Sequence, residues 1–413
     1  MAAGTVPLRQ LRVLAAVARE GSAVRAAQSL HLSVSAVSRA VGQAESLLGL
    51  PLFERGARGM VPTPAALLLV LRVERALDQL AQGQQALARL SSSTVARARV
   101  ARSALPQQLQ ETLLGALQAV AEARSEGGAA RRLGVSQAAV HQHLQALEHA
   151  ARMPLFERSH RGTRLTEAGE RLLQHAKLAQ AELRTGHDEL AAFQGLAAGR
   201  LVVGALPMAS ALLLPAALSR LFMQHPGVVV TVADGTYEAL LQQLRQGDID
   251  LLVGPLRGLQ APPDVIEQRL FEDDLIPVVR PGHPLVGRRL AGLRSLSRGP
   301  WIGPLPGTPA AQAFQRTFAA AGLPVPPVVL QTHSSTVLVA VLQSGDAIAM
   351  VSSWQVRNEL AAGTLVTLPL KLKGTQRDIG CTLRRDGLPS SAVLALQARL
   401  RDVVCEHGGV HHP

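Results

Sequence analysis

Cysteine is almost absent from this sequence: Cys381 and Cys405 are the only two. That excludes a disulfide framework and a cysteine-rich zinc scaffold, and it makes a reducing compartment the default. Aromatic residues are equally sparse, 2% of 413 positions with a single tyrosine, yet 47% of residues are hydrophobic. That apolar content suits a folded chain rather than a disordered one, and the length calls for roughly two to four domains. No apolar run approaches the roughly 20 residues of a membrane-spanning helix. The opening MAAGTVPLRQLRVLAAVARE has no continuous apolar core or cleavage site. With Arg9, Arg12 and Arg19 at helical intervals, it reads as an amphipathic helix, and a cytoplasmic protein is expected.

Catalytic signatures are missing as well. There is no Gly-rich phosphate loop, no metal-spaced Cys/His cluster and no nucleophile elbow, so no enzyme activity, metal or cofactor is expected. The runs Asp248-Ile249-Asp250 and Glu272-Asp273-Asp274 fall at a turn and at a crossover, where solvated or capping roles are expected. His141, His143 and His149 are spaced so that they do not share one helical face. What the chain has in excess is positive charge: 42 Lys+Arg against 30 Asp+Glu, a net +12. Nearly all of it is arginine, which suits bidentate phosphate contact and suggests nucleic acid as partner.

The chain also repeats itself. PLFER occurs at 51–55 and again at 154–158, an offset of 103. The same offset places Ala26-Ala27 on Ala129-Ala130, Leu30 on Leu133, Ser33 on Ser136, Glu45 on Glu148 and Thr63 on Thr166. Without a gap, roughly a third of about 60 positions are identical, which implies a duplication. Each copy has one local plan. Leu11, Leu14 and Val17 form a helical stripe, and Gly21-Ser22 breaks it. A short helix holds Ala26-Ala27, and Ser33 caps a third helix that buries Val37, Val41, Ala44 and Leu48. This is a helix-turn-helix, and Pro51 to Thr63 then reads as a small β-wing with a basic tip.

The spaced pattern AA..L.[LV]S..AV, then E, PLFER..RG and LT.AG resembles the N-terminal domain of LysR-type transcriptional regulators. The tandem copy departs from the family's usual single one. The resemblance implies double-stranded DNA as partner and sets the recognition helices over base edges. In the first copy it points to Ser33, Val34, Ser35, Ser38 and Arg39, with Arg25 and the wing residues Arg55 and Arg58. In the second it points to Ser136, Gln137, His141 and Gln142, with Arg158, Arg161 and Arg164 on the wing. Arg39 suits guanine or a phosphate, and Gln137 suits adenine. Charge separates the copies: residues 1–110 hold 13 basic and 5 acidic groups, whereas 111–198 hold 10 of each. The first copy is therefore the better electrostatic anchor.

Each copy is followed by a long apolar stripe, Val70, Val73, Leu77, Leu80 and Leu87 in one case and Leu172, Ala176, Leu183 and Leu190 in the other. In the family this helix pairs two chains; two in one chain permit either an internal pair or ordinary pairing between chains. Residues 91–110 read as a spacer.

From Arg200 strands alternate with helices, which implies parallel sheets. The pieces GALP, HPGVVV, DGTYEALLQQL, GDIDLLVG, LFEDDLIPVVRPGHPL, PGTP and LVTLPL are similar to the family's effector domain. That likeness implies two α/β subdomains resembling periplasmic solute-binding proteins. Ligands in such sheets bind at the carboxyl ends of strands and at helix N-termini. The candidates there are Pro207, Met208, Ala209 and Ser210, then Gly235, Thr236, Pro255, Thr308, Ser334 and Ser335. Met208 stands where the family often has Ser or Thr. Arg257 is expected to be solvated. A small organic acid or a sugar-derived compound suits these groups equally.

The expected fold is thus multidomain. It has a winged helix-turn-helix at 1–66, a linker helix and spacer at 67–110, and a second winged helix-turn-helix at 111–169 with its own helix at 170–198. An α/β effector-binding domain follows at 199–405, with subdomains 199–275 plus 367–405 and 276–366, and a tail at 406–413. The expected function is a DNA-binding transcriptional regulator that senses a small molecule and acts as a homo-oligomer, dimer or tetramer, with RNA polymerase as a further partner. The competing readings are an architectural DNA-binding protein whose effector domain serves oligomerisation, and a solute-binding protein.

Overall fold

The structure, a computed structural model, describes residues 6–407 apart from 57–58, 92, 104, 106–108, 160–161, 196–198, 291 and 298. The chain forms two compact units, Met1–Gly199 and Arg200–Pro413.

The first unit begins with α1 (Leu8–Glu20), α2 (Ala23–Ser29) and α3 (Val34–Leu48), then the antiparallel hairpin β1 (Phe53–Gly56) and β2 (Gly59–Pro62), then the long α4 (Pro64–Leu90). After α5 (Thr94–Ala101) the same order returns: α6 (Glu111–Ala123), α7 (Glu126–Leu133), α8 (Gln137–Ala151), β3 (Phe156–Ser159), β4 (Gly162–Leu165) and α9 (Glu167–Phe193). Local chemistry is the same in both segments. Ser33 Oγ accepts from Ala36 N and starts α3; Ser136 Oγ accepts from Ala139 N and starts α8. Each satisfies one of the donors a helix start leaves open. Glu45 Oε1 accepts the backbone N–H groups of Leu52 and Phe53 at 2.8 and 3.1 Å; Glu148 does the same for Leu155 and Phe156 at 2.9 and 3.1 Å. These bonds explain why the glutamate precedes PLFER: it fixes the turn from recognition helix into hairpin.

Residues 91–110 are more than a spacer. Ser93 caps α5, and Val100, Leu105 and Leu109 are buried in the core of the second segment. Arg97, Arg99 and Arg102 stay exposed. The cores are also shared. Leu190 of α9 enters the first segment's core, and Leu8, Ala76, Leu80 and Leu87 enter the second's. Each such leucine contributes roughly 1.5–3 kcal/mol when fully buried.

The 27-residue helices α4 and α9 pack against each other, antiparallel. A Cβ on Gly83 would stand 3.0 Å from that of His175, and one on Gly186 would stand 3.0 Å from that of Arg72. Only glycine allows the helices this close. Between them lies Arg72, its side chain 2% exposed. It donates to both oxygens of Glu189 at 2.9 and 2.6 Å and to Glu182 at 3.0 Å; Arg75 adds a bond to Glu182 at 3.1 Å. Burial opposes the Arg72 charge, but the hydrogen bonds it donates to Glu189 and Glu182, with their negative charges, outweigh it and hold the pKa above its ordinary value.

The second unit is a nine-stranded sheet among the described residues. Its first half holds β5 (Arg200–Ala205), β6 (Val229–Asp234) and β7 (Leu251–Pro255), with α10 (Pro207–Ala211), α11 (Leu213–Gln224) and α12 (Tyr237–Gln246) between them. The long β8 (Val265–Val279) runs into the other half. That half holds β9 (Trp301–Gly303), α13 (Pro309–Ala320), β10 (Val328–Gln331), α14 (Ser335–Ser344), β11 (Ile348–Ser352), α15 (Arg357–Ala361) and β12 (Val366–Thr367). The chain returns on β13 (Gln376–Arg384) and ends with α16 (Ser391–His407). The sheet is mixed, not parallel as the strand–helix alternation implies. β5 pairs in parallel with β6 and β7, and β9 with β10 and β11, but β13 is antiparallel to β7 and β8. The reason is that one strand leaves for the second half and the other comes back, so they point opposite ways.

Two outcomes are expected from the helix pair. Arg72→Ala leaves Glu182 and Glu189 buried without their cation, so it should destabilise the first unit by about 3–5 kcal/mol. The triple change Arg72→Met, Glu182→Gln and Glu189→Gln should cost far less. Urea unfolding followed by far-UV circular dichroism checks this, because both tryptophans lie in the second unit. Burial, with Arg171 beside it, lowers the pKa of His175 below the usual 6.5. The unfolded chain then takes up the proton first, so stability present above about pH 6.5 is lost as pH falls below it. His175→Gln should flatten that dependence in the same assay.

Candidate functional site

In the second unit the strand order places β6 and β7 on opposite sides of β5, and β10 and β11 on opposite sides of β9. Each is a point where the winding of the sheet reverses, and a crevice opens at the carboxyl end of such a strand. Both crevices face one cavity of about 200 Å³. From the first half it is lined by Pro207, Met208, Thr236 and Pro255. The second half supplies Gly303, Thr308, His333 and Gln355.

Two residues of the cavity lining carry buried polar atoms without a partner. Tyr237, the single tyrosine, starts α12 and is 9% exposed. The Arg257 guanidinium lies 4.0 Å over its ring, a favourable contact for a cation. Arg257 also donates to Gly307 O at 3.1 Å, and its own backbone N–H is held by Glu267 at 2.8 Å. The Tyr237 hydroxyl and Arg257 Nε are nevertheless buried with no partner at hydrogen-bond geometry. Such groups cost free energy until something fills them. Burial first, and then Glu267, push the tyrosine pKa up against the pull of Arg257. The hydroxyl therefore remains a donor. Where the strands cross between the halves, the buried Asp273 of β8 accepts from Arg377 of β13 at 3.0 and 2.9 Å and from Ser352 of β11 at 2.7 Å. Burial raises the Asp273 pKa, while Arg377 and Ser352 oppose it. This cluster ties the two crossing strands to the second half.

Several sequence expectations need correction here. Arg257 is half-buried and stacked on Tyr237 rather than simply solvated. Asp273 is neither solvated nor capping but the centre of a buried ion pair. Asp250 accepts from Val202 N at 2.8 Å. Of the expected ligand residues, Pro207, Met208, Gly235, Thr236, Pro255 and Thr308 line the cavity; Ala209, Ser210, Ser334 and Ser335 do not. Ser210 bonds back to Leu206 O, Ser334 caps α14, and Ser335 binds Gln355. Met208, 2% exposed, gives an apolar wall where a hydroxyl was the family expectation. Sequence reasoning missed Tyr237, His333, Gln355 and Arg377. An aromatic at the start of an amphipathic helix looks like core, and nothing local marks the others.

In the first unit the recognition helices bury one face and present the other. Ser33, Val34, Ser35 and Arg39 are exposed and Ser38 is half-buried. Arg39 Nε reaches only Ser35 O, at 3.4 Å. Arg25 is exposed and donates to Glu20 O. In the second segment Ser136, Gln137, Gln142 and Arg164 are exposed. His141 and Arg158 both bind Glu126, at 3.1 Å. Arg58, Arg161 and the side chain of Arg55 lie outside the described residues.

Comparison with known proteins agrees with this division. The family model of the LysR substrate binding domain matches residues 194–405. That of the bacterial regulatory helix-turn-helix protein, lysR family, matches twice, at 8–67 and 112–170. The HTH-type transcriptional regulator GalR of Pseudomonas putida is 35% identical over 399 residues, 97% of this chain and 98% of the relative. The HTH-type transcriptional regulator PcaQ of Agrobacterium fabrum is 32% identical over 287 residues, 70% of this chain and 92% of its own length. Among solved structures, full-length CbnR complexed with its target DNA covers 70% of this chain and 98% of its own, at 22% identity and a TM-score of 0.53; it shares the fold. No helix among the described residues is long and apolar enough to cross a membrane. The chain belongs to the LysR family and is a DNA-binding transcriptional regulator with an effector-binding domain, not an enzyme.

Proposed function

We propose that this regulator carries two tandem copies of one DNA reader and pairs them with each other inside a single chain. The observation that carries this is the helix contact. Under the offset of 103, Arg72 corresponds to His175 and Gly83 to Gly186, so the two glycine contacts exchange with each other. Such an exchange is what a local twofold axis between the copies would produce, as in a symmetric dimer of separate chains. The alignment with GalR across nearly the whole chain supports the doubled arrangement, as does the shorter match to PcaQ.

The chemistry of the seam supports pairing within the chain. Arg72 meets Glu182 and Glu189, whereas at the equivalent place His175 meets Gln79 at 3.1 Å, and Ala86 replaces the second carboxylate. If α4 paired with α4 of another chain, Arg72 would be buried against Gln79 and Ala86 with no carboxylate. The join through 91–110 also keeps the correct partner at high local concentration. A dimer of such chains would carry four readers.

The second unit then binds a small organic acid or sugar-derived compound. Its carboxylate or hydroxyl oxygen accepts from the Tyr237 hydroxyl and Arg257 Nε, and Met208 covers its apolar side. The two unmet donors favour this over an architectural protein whose effector domain only oligomerises. Ligand closing the cavity would shift the balance between arrangements of the two halves of the sheet.

The two sites are tested separately. Arg39→Ala is expected to weaken binding to the DNA upstream of the chain's own coding region by roughly tenfold, a typical loss for one good base or phosphate contact. Gln142→Ala should weaken it less, and the reverse order in fluorescence anisotropy would contradict the assignment. A panel of small organic acids and sugar derivatives should raise the melting temperature. For the compound that does so, Tyr237→Phe and Arg257→Ala should each lower affinity roughly 10- to 100-fold. No shift with any member would favour the architectural reading.

A further inference from the structure

Beyond net charge and the recognition-helix residues, the two DNA-facing surfaces differ around one carboxylate. Glu126 opens α7, and its side chain is only 11% exposed. Its carboxylate accepts from His141 Nδ1 of the recognition helix at 3.1 and 3.3 Å, and from Arg158 Nε of the hairpin strand β3 at 3.1 Å. The second nitrogen of His141 sits 3.0 Å from Gln145 Nε2. Glu148, which holds the turn into the hairpin, also lies 3.8 Å from Arg158. One carboxylate thus joins three parts of the second reader. In the first reader the matching positions hold Ala23 for Glu126, Ser38 for His141 and Gly42 for Gln145, while arginine is kept at Arg55. Ala23 has no side-chain acceptor.

The geometry points to Glu126 as the residue that weakens the second reader toward DNA, making the chain's paired readers unequal. It occupies Arg158 and turns His141 toward the scaffold. When Arg158 reaches for a phosphate, the largely enclosed Glu126 carboxylate loses that partner close to the same backbone, and like charges at that range repel. The first reader has alanine, not a carboxylate, at the matching position, so it anchors the chain and the second completes the contact. The target is then a pair of non-identical half-sites. Glu126 is a positioning residue; it contacts no base in this account. The inference rests on the reading of both segments as DNA readers.

The test uses the full chain and a random-sequence 40-base-pair duplex, with affinity measured against salt. Each phosphate contact contributes about −0.9 to the slope of log K against log salt. Glu126→Gln keeps the size and removes the charge. It is expected to tighten binding several-fold and to steepen the slope by about one contact. In that background Arg158→Ala should reverse the gain, whereas in the wild type it should change the slope little. Ala23→Glu, which places the same carboxylate in the first reader, should weaken binding. If Arg39→Ala weakens binding but Glu126→Gln leaves affinity and slope unchanged, this inference is overturned while the two-reader proposal stands. If neither Arg39→Ala nor Gln142→Ala changes binding, the two-reader proposal itself fails.

Discussion

The helical unit depends on one buried cation. Arg72 enters the seam between α4 and α9, where two glycines bring the backbones together, and it is held by Glu182 and Glu189 across more than a hundred residues of sequence. A charge removed from water this completely is tolerated only when every donor finds an oxygen. The pair therefore acts less as glue than as a test of register. Pairing α4 with a second α4 would set the arginine against Gln79 and Ala86, with no carboxylate to meet it. The leucines of α4 and α9 supply most of the favourable energy by completing each other's cores, and Arg72 decides which helix they complete.

The second unit follows a different constraint. Two strands cross between its halves in opposite directions, and the Asp273–Arg377–Ser352 cluster pins that crossing. The winding reversals at β5 and β9 then face a common cavity. Elsewhere in this unit, no described buried side-chain N or O lacks a partner. Around this cavity the Tyr237 hydroxyl and Arg257 Nε are buried without a partner, and the proposed ligand contact rests on these two atoms. In a chain with so few aromatics, the one tyrosine is spent here.

How much of this was legible in the sequence follows from distance along the chain. The Ser33 and Ser136 caps, and the glutamate that precedes each PLFER, act over three to eight residues, and the repeated motif carries them. The strands and helices around β5, β6 and α12 were equally readable, because each has its own hydrophobic period. What could not be read is what folding brings together. Arg72 looks like any arginine on a long helix until Glu189 arrives from 117 residues away. Arg257 looked solvated because its aromatic partner lies on another element. Residues 91–110 looked like a spacer because Val100, Leu105 and Leu109 show no clear period, yet all three are buried. The parallel-sheet expectation failed because alternation of strands and helices does not reveal a returning strand.

The claim on which the rest turns is that one chain pairs its own two readers. A cross-link at the seam measures it directly. With Cys381 and Cys405 replaced by serine, Gly83→Cys and His175→Cys would place two Cβ atoms about 3.0 Å apart, about half an ångström closer than a disulfide spans, so the helices need separate only slightly to form one. Oxidation at low protein concentration, followed by a non-reducing gel, should give a faster-running monomer containing one internal loop. A covalent dimer in its place would show that the helices pair between chains and would contradict the account.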